Sequence, residues 1–234
     1  MGSGSLLGNG ASSQFKKLEP HDQVRFHCMR CAECCQHVER TIILESLDAF
    51  RLAKHLSIKV PEVYAQYTEL VYMPGSEFPL YALKSVGSAH ACIFLKRKSC
   101  LVQEAKPKAC QLYPFSIQPD VPDAKTFTCF QCMDRQHHWN GPIVRVKEWM
   151  DTYFTEEDRE FRKEEWRWLN HIAPILFRLK QYGTDPKRLL EVLVFYRYLW
   201  FDTNLPFSIQ HSRNNMALEI ALTKMLDKNE KKRR

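Results

Sequence analysis

Between Phe26 and Cys35 the chain reads FHCMRCAECC, which sets four thiols, Cys28, Cys31, Cys34 and Cys35, within eight residues. Thiolates are the ligands taken by zinc and by iron–sulfur clusters. Two consecutive Cys-x-x-Cys steps let one turn of backbone aim three sulfurs at a common point. The spacing of Cys28, Cys31 and Cys34 is that of bacterial ferredoxin loops, but Cys35 follows at once where three residues would separate the next cysteine. Neighbouring side chains in extended backbone point opposite ways, so Cys34 and Cys35 are expected to serve different centres, or one of them to be structural.

Five further cysteines follow: Cys92, Cys100, Cys110, Cys129 and Cys132. Cys129 and Cys132 form another Cys-x-x-Cys step. Four thiolates close a structural zinc site, whereas three with an open position leave room for chemistry at the metal. Nine thiols suffice for two closed sites with one left over. The simpler alternatives are a small buried hydrophobe, which suits Cys92, and a redox dithiol at Cys129 and Cys132, around which no strand–motif–helix unit is apparent. His27, His90, His137 and His138 lie near cysteines as further donors, though each alone reads as an ordinary histidine. Lys96, Arg97, Lys98, Lys106 and Lys108 flank Cys100 and Cys110 and read as a solvated basic face.

Composition is that of a folded chain, with 44% apolar and 26% charged residues over 234 positions. Nine cysteines without a recognisable export signal imply a reducing compartment, so a cytoplasmic location is expected. No run is long and apolar enough to cross a bilayer, so no membrane partner is expected. Residues 228–234 carry a net charge of +4, which leaves only +3 of the formal +7 for everything else. That basic tail reads as a solvated end, and nucleic acid is not an expected partner.

The elements that must position these thiols follow from periodicity and caps. Residues 1–14 read as a flexible arm and Gln14 to Arg25 as a polar lead-in strand or loop. Val38 to Ile43 reads as a short extended segment. Leu47, Phe50, Ala53 and Leu56 recur at helical spacing behind a Ser46 cap. Pro61 opens a second helix through Val63, Tyr64, Tyr67 and Leu70. Met73 to Val86 reads as turn plus strand, and short strands are expected at Ala91–Leu95 and Leu101–Gln103. Lys106 to Val121, with three prolines, reads as an ordered loop. Thr155 and Asp158 form a capping box for a helix past Phe161, Trp166, Leu169 and Ile172, which Pro174 would bend or break. Gly183 ends that segment and Asp185-Pro186 starts the next, dense in apolar residues from Leu189 to Trp200. A last helix is expected over Asn214 to Leu226. The resulting fold class is α+β and mostly helical, with a cysteine-rich, loop-dominated metal-binding front over 15–140 and helices of 141–227 packed behind.

Three stretches in order, FHCMRCAECC, ACIFLKRKSC and KPKACQLYPF, resemble the YkgJ-type cysteine-cluster family of zinc- or iron-chelating proteins. Its pattern is Cys-x-x-Cys-x-x-Cys-Cys, then Cys-x-Phe-Leu with a following Cys, then an Arg-Pro-x-x-Cys-x-x-x-Pro-like segment. The matching positions are Cys28, Cys31, Cys34, Cys35, Cys92, Cys100 and Cys110, framed by Pro107 and Pro114. Lys106 stands in place of the usual Arg, and Ala32-Glu33 where a Gly is frequent. The resemblance spans about residues 26 to 115 and leaves zinc and iron both open, while the ferredoxin-like spacing tips the expectation slightly toward an iron–sulfur centre, a [4Fe–4S] cluster, over zinc. More distantly the cluster is similar to that of flagellin lysine methylases. That likeness implies a protein substrate and S-adenosylmethionine, although no glycine-rich nucleotide loop occurs here. A zinc-stabilised interaction or nucleic-acid-binding module and a metal carrier are the other readings. The chain does not reveal whether it is an enzyme, and its oligomeric state is not legible.

Overall fold

The computed structural model describes residues 15–72, 78–120, 126–133 and 140–233. The arm, the Pro74-Gly75 turn, His137 and His138 lie outside these residues. Among the described residues no helix is long and apolar enough to cross a membrane.

Strands β1 (Phe15–Leu18) and β2 (Gln23–Arg25) open the chain. Val38 to Ile43 turns rather than extends, with Thr41 closing on the Val38 carbonyl through both N–H and hydroxyl. Helix α1 (Ser46–Leu56) buries Leu47, Phe50 and Ala53, as their spacing predicts, but Glu45 is its N-cap and Ser46 already lies inside it. Helix α2 (Val60–Tyr67) starts at Pro61's turn, where the Glu62 carboxylate accepts the Lys59 N–H at 2.7 Å. It stops short of Leu70. Thr68, Val71 and Tyr72 favour extended backbone, and β3 (Thr68–Tyr72) pairs with β4 (Pro79–Leu83), setting Leu70 opposite Tyr81.

Two small ladders follow, β5 (Ser85–Val86) with β6 (Ala91–Cys92) and β7 (Leu95–Lys96) with β8 (Ser99–Cys100). The second is closed by Arg97 and Lys98 at φ of 48° and 63°, the sense of twist a two-residue hairpin requires. Leu101 to Gln103 is not a strand; it turns into a 3-10 turn over Gln103–Ala105. The expected loop from Lys106 to Val121 instead holds α3 (Lys108–Leu112) and β9 (Phe115–Pro119). Its prolines sit at the boundaries of these elements, where they satisfy rather than break the backbone pattern. Strand β10 (Phe127–Cys132) lies between β1 and β9, antiparallel to both.

Strand β11 (Ile143–Arg145) pairs with β2, which ties the chain after Gly141 to its beginning. Helix α4 (Val146–Tyr153) leads to α5 (Glu156–Gln181), whose capping box at Thr155 and Asp158 forms as predicted. Pro174 lies inside α5, which runs on through it. Gly183 at φ 67° ends the helix turn and Asp185 caps α6 (Pro186–Val194). A wider turn over Phe195–Leu199 then precedes α7 (Phe207–Arg233), which begins earlier than the expected Asn214 and carries helix into the basic tail.

Three apolar clusters hold this together. The first joins α1, α2 and Leu83 to Phe161, Tyr198, Phe201 and Phe207 of the helical back. The second fills the space between the three-stranded sheet and α4, around Leu18, Phe115, Cys129 and Phe154. The third packs α5, α6 and α7 through Ile172, Leu179, Leu193, Leu218 and Leu222.

Candidate metal centre

Cys34 and Cys35 sit in a 3-10 turn over Glu33–Cys35, entered through Ala32 in the left-handed conformation at φ 67°. Tight turning, rather than extended backbone, is why the two thiols do not point apart as the sequence suggested. Their sulfurs lie 3.9 Å apart and both face one cavity of about 50 Å³. Three more thiols complete its wall. Cys92 comes from β6, Cys100 from β8, and Cys110 from the middle of α3. Ile42, Leu83, Phe94 and Val102 supply the apolar remainder, and Lys106, Pro107 and Tyr113 close it.

This setting changes the thiols unequally. The sulfur–sulfur contact with Cys35, then burial, pushes the proton loss of Cys34 far up, and the same contact draws Cys35 down. Burial, then the neighbouring Cys92 and Cys34, raises Cys110, and burial raises Cys92. Lys106 opposes the rise at both Cys34 and Cys110, as a cation in a thiol cavity must.

The other four cysteines lie elsewhere. Cys28 is exposed and Cys31 half-buried, and neither lines the cavity. Cys129 and Cys132 are three apart on β10, so alternation sends them to opposite faces of the strand. Cys129 packs in the second cluster and burial pushes its thiol up to about 11. The pair therefore does not converge as a Cys-x-x-Cys turn would. His90 is exposed and lies 3.5 Å from Glu39. His27 is held against Gly141, where a Cβ would come within 2.4 Å of the His27 Cβ.

Residues 27–142 match the profile of the CxxCxxCC family, described as "Putative zinc- or iron-chelating domain". This segment belongs to that family. An uncharacterised protein of Methanocaldococcus jannaschii is 32% identical over 97 residues, which cover 41% of this chain. The chain spans 47% of that relative's length. No solved structure matches the chain. Membership in the CxxCxxCC family supports metal binding and leaves the kind of metal centre open.

The donor set of this CxxCxxCC domain fits a thiophilic metal. Two thiolates about 2.3 Å from one tetrahedral ion lie ~3.8 Å apart, close to the separation of Cys34 and Cys35. Among the described residues no three Cys, His, Asp or Glu side chains are preassembled as a closed ligand set. Behind the thiols Lys108 holds α3 in place. Lys108 is not part of a solvated face. It is buried, its N–H donates to Asp48 at 2.9 Å, and its Nζ reaches Asp158 and the Tyr153 carbonyl at 2.7 Å each. Asp48 thereby caps the short helix that carries Cys110, and burial raises this carboxyl against the Lys108 bond. The available signal was Asp48, a carboxylate in the first turn of α1 beside the apolar position Leu47.

Proposed function

We propose that the cavity thiols Cys34, Cys35, Cys92, Cys100 and Cys110 hold a single zinc or iron ion, and that the protein is a metal-binding protein of a reducing, cytoplasmic compartment. The observation that carries this reading is the meeting of five thiols from four separate segments around one cavity, with the vicinal pair 3.9 Å apart. A [4Fe–4S] cluster gives each cysteine its own iron and spreads the sulfurs wider than two thiolates on one ion. The vicinal pair therefore favours a mononuclear centre over the cubane that the Cys-x-x-Cys spacing suggested. Lys106 suits a thiolate metal centre of either kind, because four thiolates on a divalent ion or on a [4Fe–4S] cluster leave net negative charge for a nearby cation to offset. None of the nine cysteines is in a disulfide, which suits a reducing compartment.

The test is metal content after paired substitutions. Cys92→Ser with Cys110→Ser should release the cavity ion, whereas Cys129→Ala should keep it. Retention of the full metal complement by the first variant would remove the cavity from consideration.

A further inference from the structure

Helix α7 buries one face and carries apolar side chains on the other as well. Phe207, His211, Leu218 and Leu222 turn inward, while Ile209, Met216 and Ile220 are 67%, 66% and 54% exposed. With Arg213 these three are spaced four, three and four apart, the alternation of a coiled-coil seam, and all four line one open groove. We infer that this face of α7 is a dimer contact, packing antiparallel against the same face of a second copy of the chain.

The seam is complementary to itself, which is what a two-fold contact between identical chains requires. About an axis passing between Asn214 and Asn215, positions equally far from the axis come level. Ile209 then meets Ile220 of the second copy, and Arg213 meets its Met216. Ser212 and Ala217, also equally far from the axis, flank the seam with small side chains that let two helices approach closely. A parallel pair would set Arg213 against its own copy, charge to like charge, so the pattern selects the antiparallel sense. The Arg213 head group is drawn aside, 4.1 Å over the Trp200 ring and bonded to Asn214 Oδ1 at 3.0 Å. Its aliphatic stem is left to face the seam.

The exposed area suits a dimer too. Trp200 stacks on Phe195 with centroids 5.7 Å apart, and both rings are partly exposed, so the apolar surface continues past Arg213. Five apolar side chains together leave on the order of 500 Å² in water, taking roughly 200 Å² for a whole large side chain. That is most of the ~800 Å² that each partner gives to a standard interface, and the Arg213 stem and the small flanks add to it. The next positions along the seam are Thr223 and Asp227, so the apolar contact ends at Ile220. A dimer that dissociates on dilution is expected. Its formation needs no particular occupant of the thiol cavity.

The experiment is sedimentation equilibrium on the full chain over a range of concentrations. Ile209→Lys and Ile220→Glu are compared with the parent, with circular dichroism and metal content checking that each variant folds; both sites are exposed. The parent should be dimeric when concentrated, and each variant alone should be monomeric. A one-to-one mixture of the two variants should dimerise again, because the new lysine of one chain faces the new glutamate of the other while the second layer keeps its two isoleucines. A parent that stays monomeric at every concentration would overturn the dimer and leave this face to a different partner. A dimer that neither substitution weakens would place the contact on another face. Variants that remain monomeric when mixed, beside a dimeric parent, would overturn the antiparallel register.

Discussion

Lys108 Nζ lies 2.7 Å from Asp158 Oδ2, with the two side chains 5% and 3% exposed. This pair joins α3, which carries Cys110, to the first turn of α5. Burial works to raise the Asp158 carboxyl, but bonds from Lys108, Thr155 and Arg51 outweigh it and hold the group below the usual carboxylate range. Asp158→Asn leaves the Lys108 charge buried without a carboxylate, at a cost of about 3–5 kcal/mol, whereas after Lys108→Met the Arg51 guanidinium 2.6 Å away still pairs with Asp158 and the cost is smaller. Asp158→Asn and Lys108→Met should each lower the denaturation midpoint accordingly. Because the folded carboxyl is depressed, its contribution is present above about pH 4 and is lost as pH falls through the folded value. The stability difference between parent and Asp158→Asn should therefore shrink in acid. Urea titrations at two pH values check this, and a constant difference would contradict it.

His211 supplies the opposite sign. Its Nε2 lies 2.6 Å from Glu165 and its Nδ1 3.2 Å from Glu164, and it is almost fully buried on α7. Burial alone would lower its proton affinity, yet the two carboxylates raise it. A raised histidine contributes stability that is complete below the unfolded value of about 6.5 and lost as pH rises through the folded one. The parent should lose stability across that alkaline window, and His211→Gln should flatten the curve. Thermal melts from pH 6 upward would show it; identical slopes would remove the charged His211 from the account.

Gly141 is required by close approach rather than by backbone conformation. A Cβ there would come within 2.6 Å of the His27 backbone N and 2.7 Å of the Phe26 carbonyl carbon, and backbone cannot swing aside as a side chain can. Gly141→Ala should cost roughly 1–3 kcal/mol by forcing the β2–β11 ladder apart. Slowed amide exchange at Phe26, whose N–H is held by Pro142, would be lost in the variant. Unchanged protection would show that the two segments separate without penalty.

Several of these features were legible in the sequence because their causes are local. The Thr155–Asp158 capping box, the Gly183 stop and the Asp185-Pro186 start depend on three or four neighbouring residues, and each formed where expected. The thiol-rich motif was equally plain, and its family membership follows from it. What escaped depended on partners far along the chain. Leu70 fits the helical stripe of α2, but pairing with β4 pulled it into a strand. Lys108 looked like one more surface lysine until Asp158, fifty residues on, came beside it. Cys129 and Cys132 have turn-like spacing, yet β1 and β9 hold them in extended backbone that parts their side chains. The vicinal cysteines erred in the other direction, because a left-handed Ala32 set up a turn that brought them together.

Metal content measured together with acid-labile sulfide decides whether the cavity holds a mononuclear thiolate centre. Protein purified without air should contain zinc or iron bound with no labile sulfide, and Cys92→Ser with Cys110→Ser should lower the metal content. Iron accompanied by a similar amount of labile sulfide, with a brown chromophore bleached by dithionite, would contradict the mononuclear assignment and restore the cluster.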